Sequence, residues 1–168
     1  RHADELVRFI RGHHDHFCVG AACYPEGHPE ASSKEIDLEN LKRKVDAGVD
    51  FFITQLFFNN SDFYAFRDRA QGAGISVPMI AGLMPILNVG QIKRFTNMCG
   101  AKIPVELLRR VEAVEDDVEA VRQIGTYHAV EQARELLRQG VAGIHFYTLN
   151  KSTATRAIFQ LIREGVRV

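Results

Sequence analysis

The 168-residue chain is 46% hydrophobic and 25% charged, the composition of a soluble globular protein. Its 21 Lys plus Arg balance 21 Asp plus Glu, so it lacks the cationic surplus that nucleic acid or an anionic membrane surface requires, and small molecules or protein are the expected partners. The longest apolar runs, such as FFITQLFF, stop after about eight residues against the roughly 18 of a bilayer span, and three cysteines behind no secretory leader point to a reducing compartment, the cytoplasm. In chain order, a helix is predicted over 4–12 and a buried strand over 17–24. Leu38, Leu41 and Val45 share one face of a second helix that Gly48 closes, and a strand follows over 51–58. Asn60, Ser61 and Asp62 open a helix through Phe63, Phe66 and Ala70 that Gly72 and Gly74 stop. A strand over 77–84, a helix over 88–98 and another whose first turn holds Pro104 come next. A long helix over 116–139 carries Gly125, which weakens its middle by about 1 kcal/mol relative to Ala. A strand over 141–149 and a helix over 152–164 complete the pattern.

The strands are near-continuously apolar, which suits a parallel sheet covered on both faces, and they alternate with helices. Two architectures fit: a doubly wound open sheet, or part of a (β/α)₈ barrel. The absence of GxGxxG, GxxxxGK[ST] and GxSxG motifs favours the barrel, of which four strands are half.

In either fold, ligand groups come from the carboxyl ends of strands. The first strand leads into Tyr24-Pro25-Glu26-Gly27-His28-Pro29-Glu30-Ala31, a loop stiffened by two prolines that is either a solvated turn or a ligand loop. Gln55 interrupts FFITQLFF; a buried amide without partners costs about 1–3 kcal/mol, so it is paired in the core or directed at a ligand, and its position in the strand's carboxyl half favours the ligand. Asp37, Asn40, Arg43 and Lys44, at helical spacing, form a polar stripe that is either a solvated face or a cradle for a diphosphate and ribose. His145-Phe146-Tyr147-Thr148-Leu149-Asn150-Lys151 gathers polar groups where the last strand leaves the core. His13, His14 and His16 lack the spacing of a metal site, Cys18 and Cys23 face opposite ways along a strand, and Glu115, Asp116 and Asp117 read as a helix start; no metal is expected.

The segments AACYPEGHPEA, DLENLKRKVDAGVDFFITQLFF, GLMPI and HFYTLN, in this order and spacing, resemble the methylenetetrahydrofolate reductase family over essentially the whole chain. The resemblance implies a (β/α)₈ barrel that binds FAD and uses NADH or NADPH to reduce 5,10-methylenetetrahydrofolate to 5-methyltetrahydrofolate, in one-carbon metabolism and methionine synthesis. It implies FAD contacts from His2 and Ala3, from Tyr24, His28, Pro29, Glu30 and Ala31, and from Asp37, Asn40, Arg43 and Lys44. Gln55 would orient the pterin, Gln91 and Phe95 in NVGQIKRF would meet folate or the nicotinamide nucleotide, and Tyr147 and Lys151 would form the folate rim. Lys151 stands where the family carries arginine, keeping the charge for the glutamate tail without the bidentate fork. The match is to the second half of the barrel, so residues 1–168 are expected to be the carboxyl-terminal half of one flavin domain, inactive alone, with the acidic catalytic residue outside the chain and the full protein a homo-oligomer. Another flavin-dependent barrel oxidoreductase and a non-catalytic half-barrel module are the alternatives.

Overall fold

The computed structural model describes residues 2–165. The elements run α1 (Ala3–His13), β1 (Gly20–Cys23), α2 (Lys34–Asp46), β2 (Phe51–Thr54), α3 (Asn60–Gly72), β3 (Met79–Leu83), α4 (Val89–Cys99), α5 (Val105–Glu112), α6 (Val118–Arg138), β4 (Ile144–Phe146) and α7 (Thr153–Gly165). Most helix starts are set by side chains that satisfy otherwise unpaired amides. Ser33 accepts from Ile36 N–H at 3.3 Å, Asn88 from Gln91 N–H at 2.7 Å, and Asp117 from the Glu119 and Ala120 N–H groups at 3.0 Å. For α3 the cap is Asn59, which accepts from Ser61 N–H at 3.1 Å; Asn60 already lies inside the helix and is buried.

The strands are parallel in the order β1-β2-β3-β4, with Cys23 beside Thr54, Ile53 beside Ile80 and Gly82 beside His145. Strand side chains alternate between faces. Cys23, Phe52, Met79, Ala81 and Leu83 are buried in one cluster with Leu41 of α2, Phe63 and Phe66 of α3, Ala133 and Leu136 of α6 and Ile158 of α7, so the helices lie on one face. The other face is half open: Ala22 is exposed, and Phe51, Ile53, Ile80 and His145 are half-buried. Sequential strand order with helices on a single face is the arrangement of a (β/α)₈ barrel in part, not of a doubly wound sheet, whose order reverses and whose faces are both covered. A sheet covered on both faces is thus not what these residues form; the second face is the barrel interior.

The strands are shorter than their apolar runs. The last rung between β1 and β2 is Gln55 N–H to the Cys23 carbonyl at 2.7 Å. Beyond it Leu56 and Phe58 leave the sheet and enter a second core with Ile86, Val89, Ile92, Leu107, Val111 and Val121, which joins the loops after β2 and β3 to α4, α5 and α6. Apolarity continues past residue 54 because a second core needs it. Cys18 lies before β1 and is exposed while Cys23 is buried, and no helix among the described residues is long and apolar enough to cross a membrane.

Candidate active site

Extending the strand registers by one residue between β1 and β2 and by two between β2 and β3 sets Tyr24, Gln55, Gly82 and His145 in one row across the inner face. Gln55 is half-buried, and its side-chain oxygen accepts from Leu56 N–H at 2.9 Å, so its NH₂ is the group left to donate to a ligand. Gly82 supplies no side chain, and its place is taken by Tyr147, two residues past His145. The Tyr147 hydroxyl donates to the Thr54 carbonyl at 2.9 Å, its ring meets His145 edge-on at 4.9 Å, and burial pushes its pKa up.

The loop after β1 is tied down at several points. His28 N–H donates to Asp37 Oδ2 at 3.1 Å, Glu30 N–H to His28 Nδ1 at 3.1 Å, and the Tyr24 and His28 rings meet edge-on at 4.4 Å. Gly27, at φ 103, makes the turn, its N–H donating to the Tyr24 carbonyl at 3.1 Å. Between this loop, α1 and the free edge of β1 lies a cavity of about 310 Å³ lined by Ala3, Leu6, Ile10, Tyr24, His28 and Lys44. The Lys44 ammonium donates to the Ala22 carbonyl at 2.7 Å, and burial lowers its pKa. Of the predicted FAD contacts, Ala3, Tyr24, His28 and Lys44 line the cavity. His2, Pro29, Glu30 and Arg43 are exposed outside it, Ala31 and Asn40 are half-buried, and Asp37 acts by holding the loop.

On the opposite side, Met84, Gln91, Tyr147 and Lys151 line a small cavity of about 90 Å³, which joins the predicted folate residues except Gln55 and Phe95. Phe95 is half-buried one turn after Gln91, with the Arg94 guanidinium 5.6 Å from its ring centre. Lys151 also borders a groove of about 630 Å³ between α6 and α7, lined by Arg122, Thr126, Tyr127, Arg134 and Leu161, which sequence reasoning did not anticipate. Among the described residues no group of three His, Cys, Asp or Glu side chains is placed to hold a metal ion.

The family model of methylenetetrahydrofolate reductase matches residues 1–163. The chain belongs to the methylenetetrahydrofolate reductase family. It is 41% identical over 166 residues to 5,10-methylenetetrahydrofolate reductase of Escherichia coli (strain K12), covering 99% of this chain and 55% of that protein. It is 39% identical over 161 residues to methylenetetrahydrofolate reductase 1 of Schizosaccharomyces pombe, covering 95% of this chain and 27% of that protein. The chain thus spans about half the length of the bacterial relative and about a quarter of the yeast one. A solved structure described as an uncharacterized protein from Clostridium thermocellum that binds two copies of 5-methyl-5,6,7,8-tetrahydrofolic acid shares the fold, with a TM-score of 0.66 at 18% identity over 98% of this chain and 59% of that one.

In this member of the methylenetetrahydrofolate reductase family, one face of α6 supports the site, and sequence reasoning missed it. His128 Nε2 bonds the Phe58 carbonyl at 3.0 Å, and Gln132 Nε2 donates to the Phe57 carbonyl at 2.9 Å. Asn60 Nδ2 donates to the Gln132 carbonyl at 3.1 Å and to Glu135 Oε2 at 3.0 Å. The backbone carbonyls of the segment following Gln55 are therefore held by side chains of a helix distant in sequence. The readable signal was three polar residues at spacings of four and three on a face that also carries Ala129 and Leu136.

Proposed function

We propose that this chain supplies the carboxyl-terminal half of the catalytic barrel of a flavin-dependent reductase that converts 5,10-methylenetetrahydrofolate to 5-methyltetrahydrofolate with NADH or NADPH, in the cytoplasmic one-carbon supply for methionine synthesis. The observation that carries the reading is the family match over residues 1–163. The row of Tyr24, Gln55 and His145 beside the strand ends supports it. The fold neighbour from Clostridium thermocellum, described as binding 5-methyl-5,6,7,8-tetrahydrofolic acid, is compatible with it.

The residues around the 310 Å³ cavity suit part of a flavin dinucleotide. The half-buried ammonium at Lys44 supplies at the cavity a charge that a diphosphate needs, Asp37 holds the His28 loop against it, and Asn40 and Arg43 lie on the same helix outside its lining. Flavin, when bound, supplies the hydride-carrying chemistry. The chain's own groups bind and orient: Gln55 offers its NH₂ to a heterocycle edge, Tyr147 walls the opposite side, and Lys151 offers a cation to a carboxylate tail.

Anaerobic half-reactions of the protein carrying this chain test the reading. Its flavin should bleach with NADH or NADPH and be reoxidised by 5,10-methylenetetrahydrofolate, and Gln55→Leu should slow the second half-reaction while sparing the first. A protein without flavin, or one whose bleached flavin ignores the folate, overturns it.

A further inference from the structure

The groups assigned to the cofactor and those assigned to folate lie on segments far apart in sequence, the loop after β1 and helix α4, yet one seam joins them. Both oxygens of the Glu26 carboxylate accept the Lys102 backbone N–H, at 3.0 and 3.1 Å, across 76 residues. Beside this bond Gly100 ends α4 at φ 74, and a Cβ there would stand 3.2 Å from Pro29 Cγ, so the loop packs directly on the helix end. On the loop's other flank Asp37 of α2 accepts the His28 N–H at 3.1 Å. The loop is thus held from both sides, by α2 through Asp37 and by the end of α4 through Glu26.

We propose that Glu26 is a positioning residue: its carboxylate locks the loop carrying Tyr24 and His28 to the carboxyl end of α4, the helix carrying Gln91 and Phe95, so that the two sides of the candidate site keep one relative placement. What each side holds rests on the folate-reductase reading; the lock itself does not. A backbone N–H is a suitable anchor because it cannot rotate away as a side chain can, and a carboxylate accepts it more strongly than a neutral oxygen does. Glu26 is half-buried, and burial pushes its pKa up against the pull of the Lys102 N–H, so the lock stands in a partly desolvated seam.

The test compares Glu26→Ala and Glu26→Gln in the protein carrying this chain, first by amide hydrogen exchange and then by kinetics. Glu26→Ala is expected to speed exchange roughly tenfold both at Lys102 and across residues 24–31, with Phe52 and Ala81 in the sheet unchanged. Glu26→Gln, which retains an acceptor oxygen, should restore most of that protection. In turnover, Glu26→Ala should weaken flavin retention and raise KM for the folate together. If Glu26→Ala does not fold, Gly100→Ala opens the same seam from the other side, through strain at φ 74 and contact with Pro29, and should produce the same paired loss. Exchange that rises in one segment alone, or in neither, overturns the proposal. If the paired exchange change is found in a protein that binds neither flavin nor folate, the lock stands and the functional reading falls.

Discussion

Tyr147 reaches across β3 to Thr54: its hydroxyl donates to the Thr54 carbonyl at 2.9 Å, while Gly82 N–H donates to the Thr54 hydroxyl at 2.8 Å. Three strands meet at this point, and it is open only because residue 82 has no side chain. A Cβ there would lie 2.2 Å from the Thr54 oxygen and 2.8 Å from the Tyr147 ring.

Gly82→Ala should therefore destabilise the fold by about 3 kcal/mol or more, since backbone must move to admit the methyl group. Tyr147→Phe removes one hydrogen bond and should cost only about 1 kcal/mol. Urea unfolding of the two variants distinguishes them, and equal losses would contradict the steric account.

Gly125 gives a sign test. Helix propensity alone predicts that Gly125→Ala stabilises α6 by about 1 kcal/mol. A Cβ at 125 would stand 1.9 Å from the Ile86 carbonyl oxygen, so here too backbone must move and the substitution should instead destabilise by about 3 kcal/mol or more. A higher melting temperature would refute the close approach.

His128 is half-buried beside Phe58, and desolvation holds its pKa below the ordinary 6.5. Above about pH 6.5 both folded and unfolded chains carry it neutral. As pH falls below that value the unfolded chain gains the proton first, so stability is lost down to the lowered folded pKa. His128→Gln should flatten this acid-side loss in chemical denaturation series; an unchanged slope would count against a desolvated neutral imidazole.

Lys44→Met removes the ammonium that reaches the Ala22 carbonyl at the rim of the 310 Å³ cavity. Under the proposed flavin reading the same ammonium also donates to the diphosphate; a hydrogen bond to a charged group contributes about 1.5–3 kcal/mol, so FAD binding to the protein carrying this chain should then weaken at least roughly tenfold, with partial recovery in Lys44→Arg. Calorimetric titration reads this directly, and unaltered affinity would remove Lys44 from the cofactor site.

Leu149 and Asn150 adopt left-handed backbone in succession, at φ 48 and φ 60, in the turn before Lys151. Asparagine tolerates this region and leucine does not, at a cost of roughly 1–2 kcal/mol. Leu149 is 50% exposed and loses little packing on replacement, so Leu149→Asn should raise the melting temperature. A fall would mean that its contacts outweigh the backbone strain.

Much of the fold is legible in the chain because the signals are local. Asn88 and Asp117 start helices through bonds to amides two or three residues away, and Gly100 ends one by taking φ 74. The YPEGHPEA loop and Gln55 are readable as candidate ligand groups because each is polar at or beyond a strand end, whereas the stripe from Asp37 to Lys44 lies on a helix and is by residue type as much a solvated face as a cradle.

Distances between residues dozens of positions apart are set by packing, and residue types do not encode them. Gly125 reads as a flaw in a helix, yet it is the gap through which Ile86 touches that helix. The run 51–58 reads as one strand, but it divides at Gln55 between a sheet and a second core. Gln55 reads as either paired or ligand-facing, and its oxygen is paired while its NH₂ is not needed for that bond. Glu26 reads as one more loop carboxylate until Lys102 is brought beside it. For Gly125, the 51–58 run and Glu26, a contact across the chain, made possible by close packing of whole elements, assigns the residue its task.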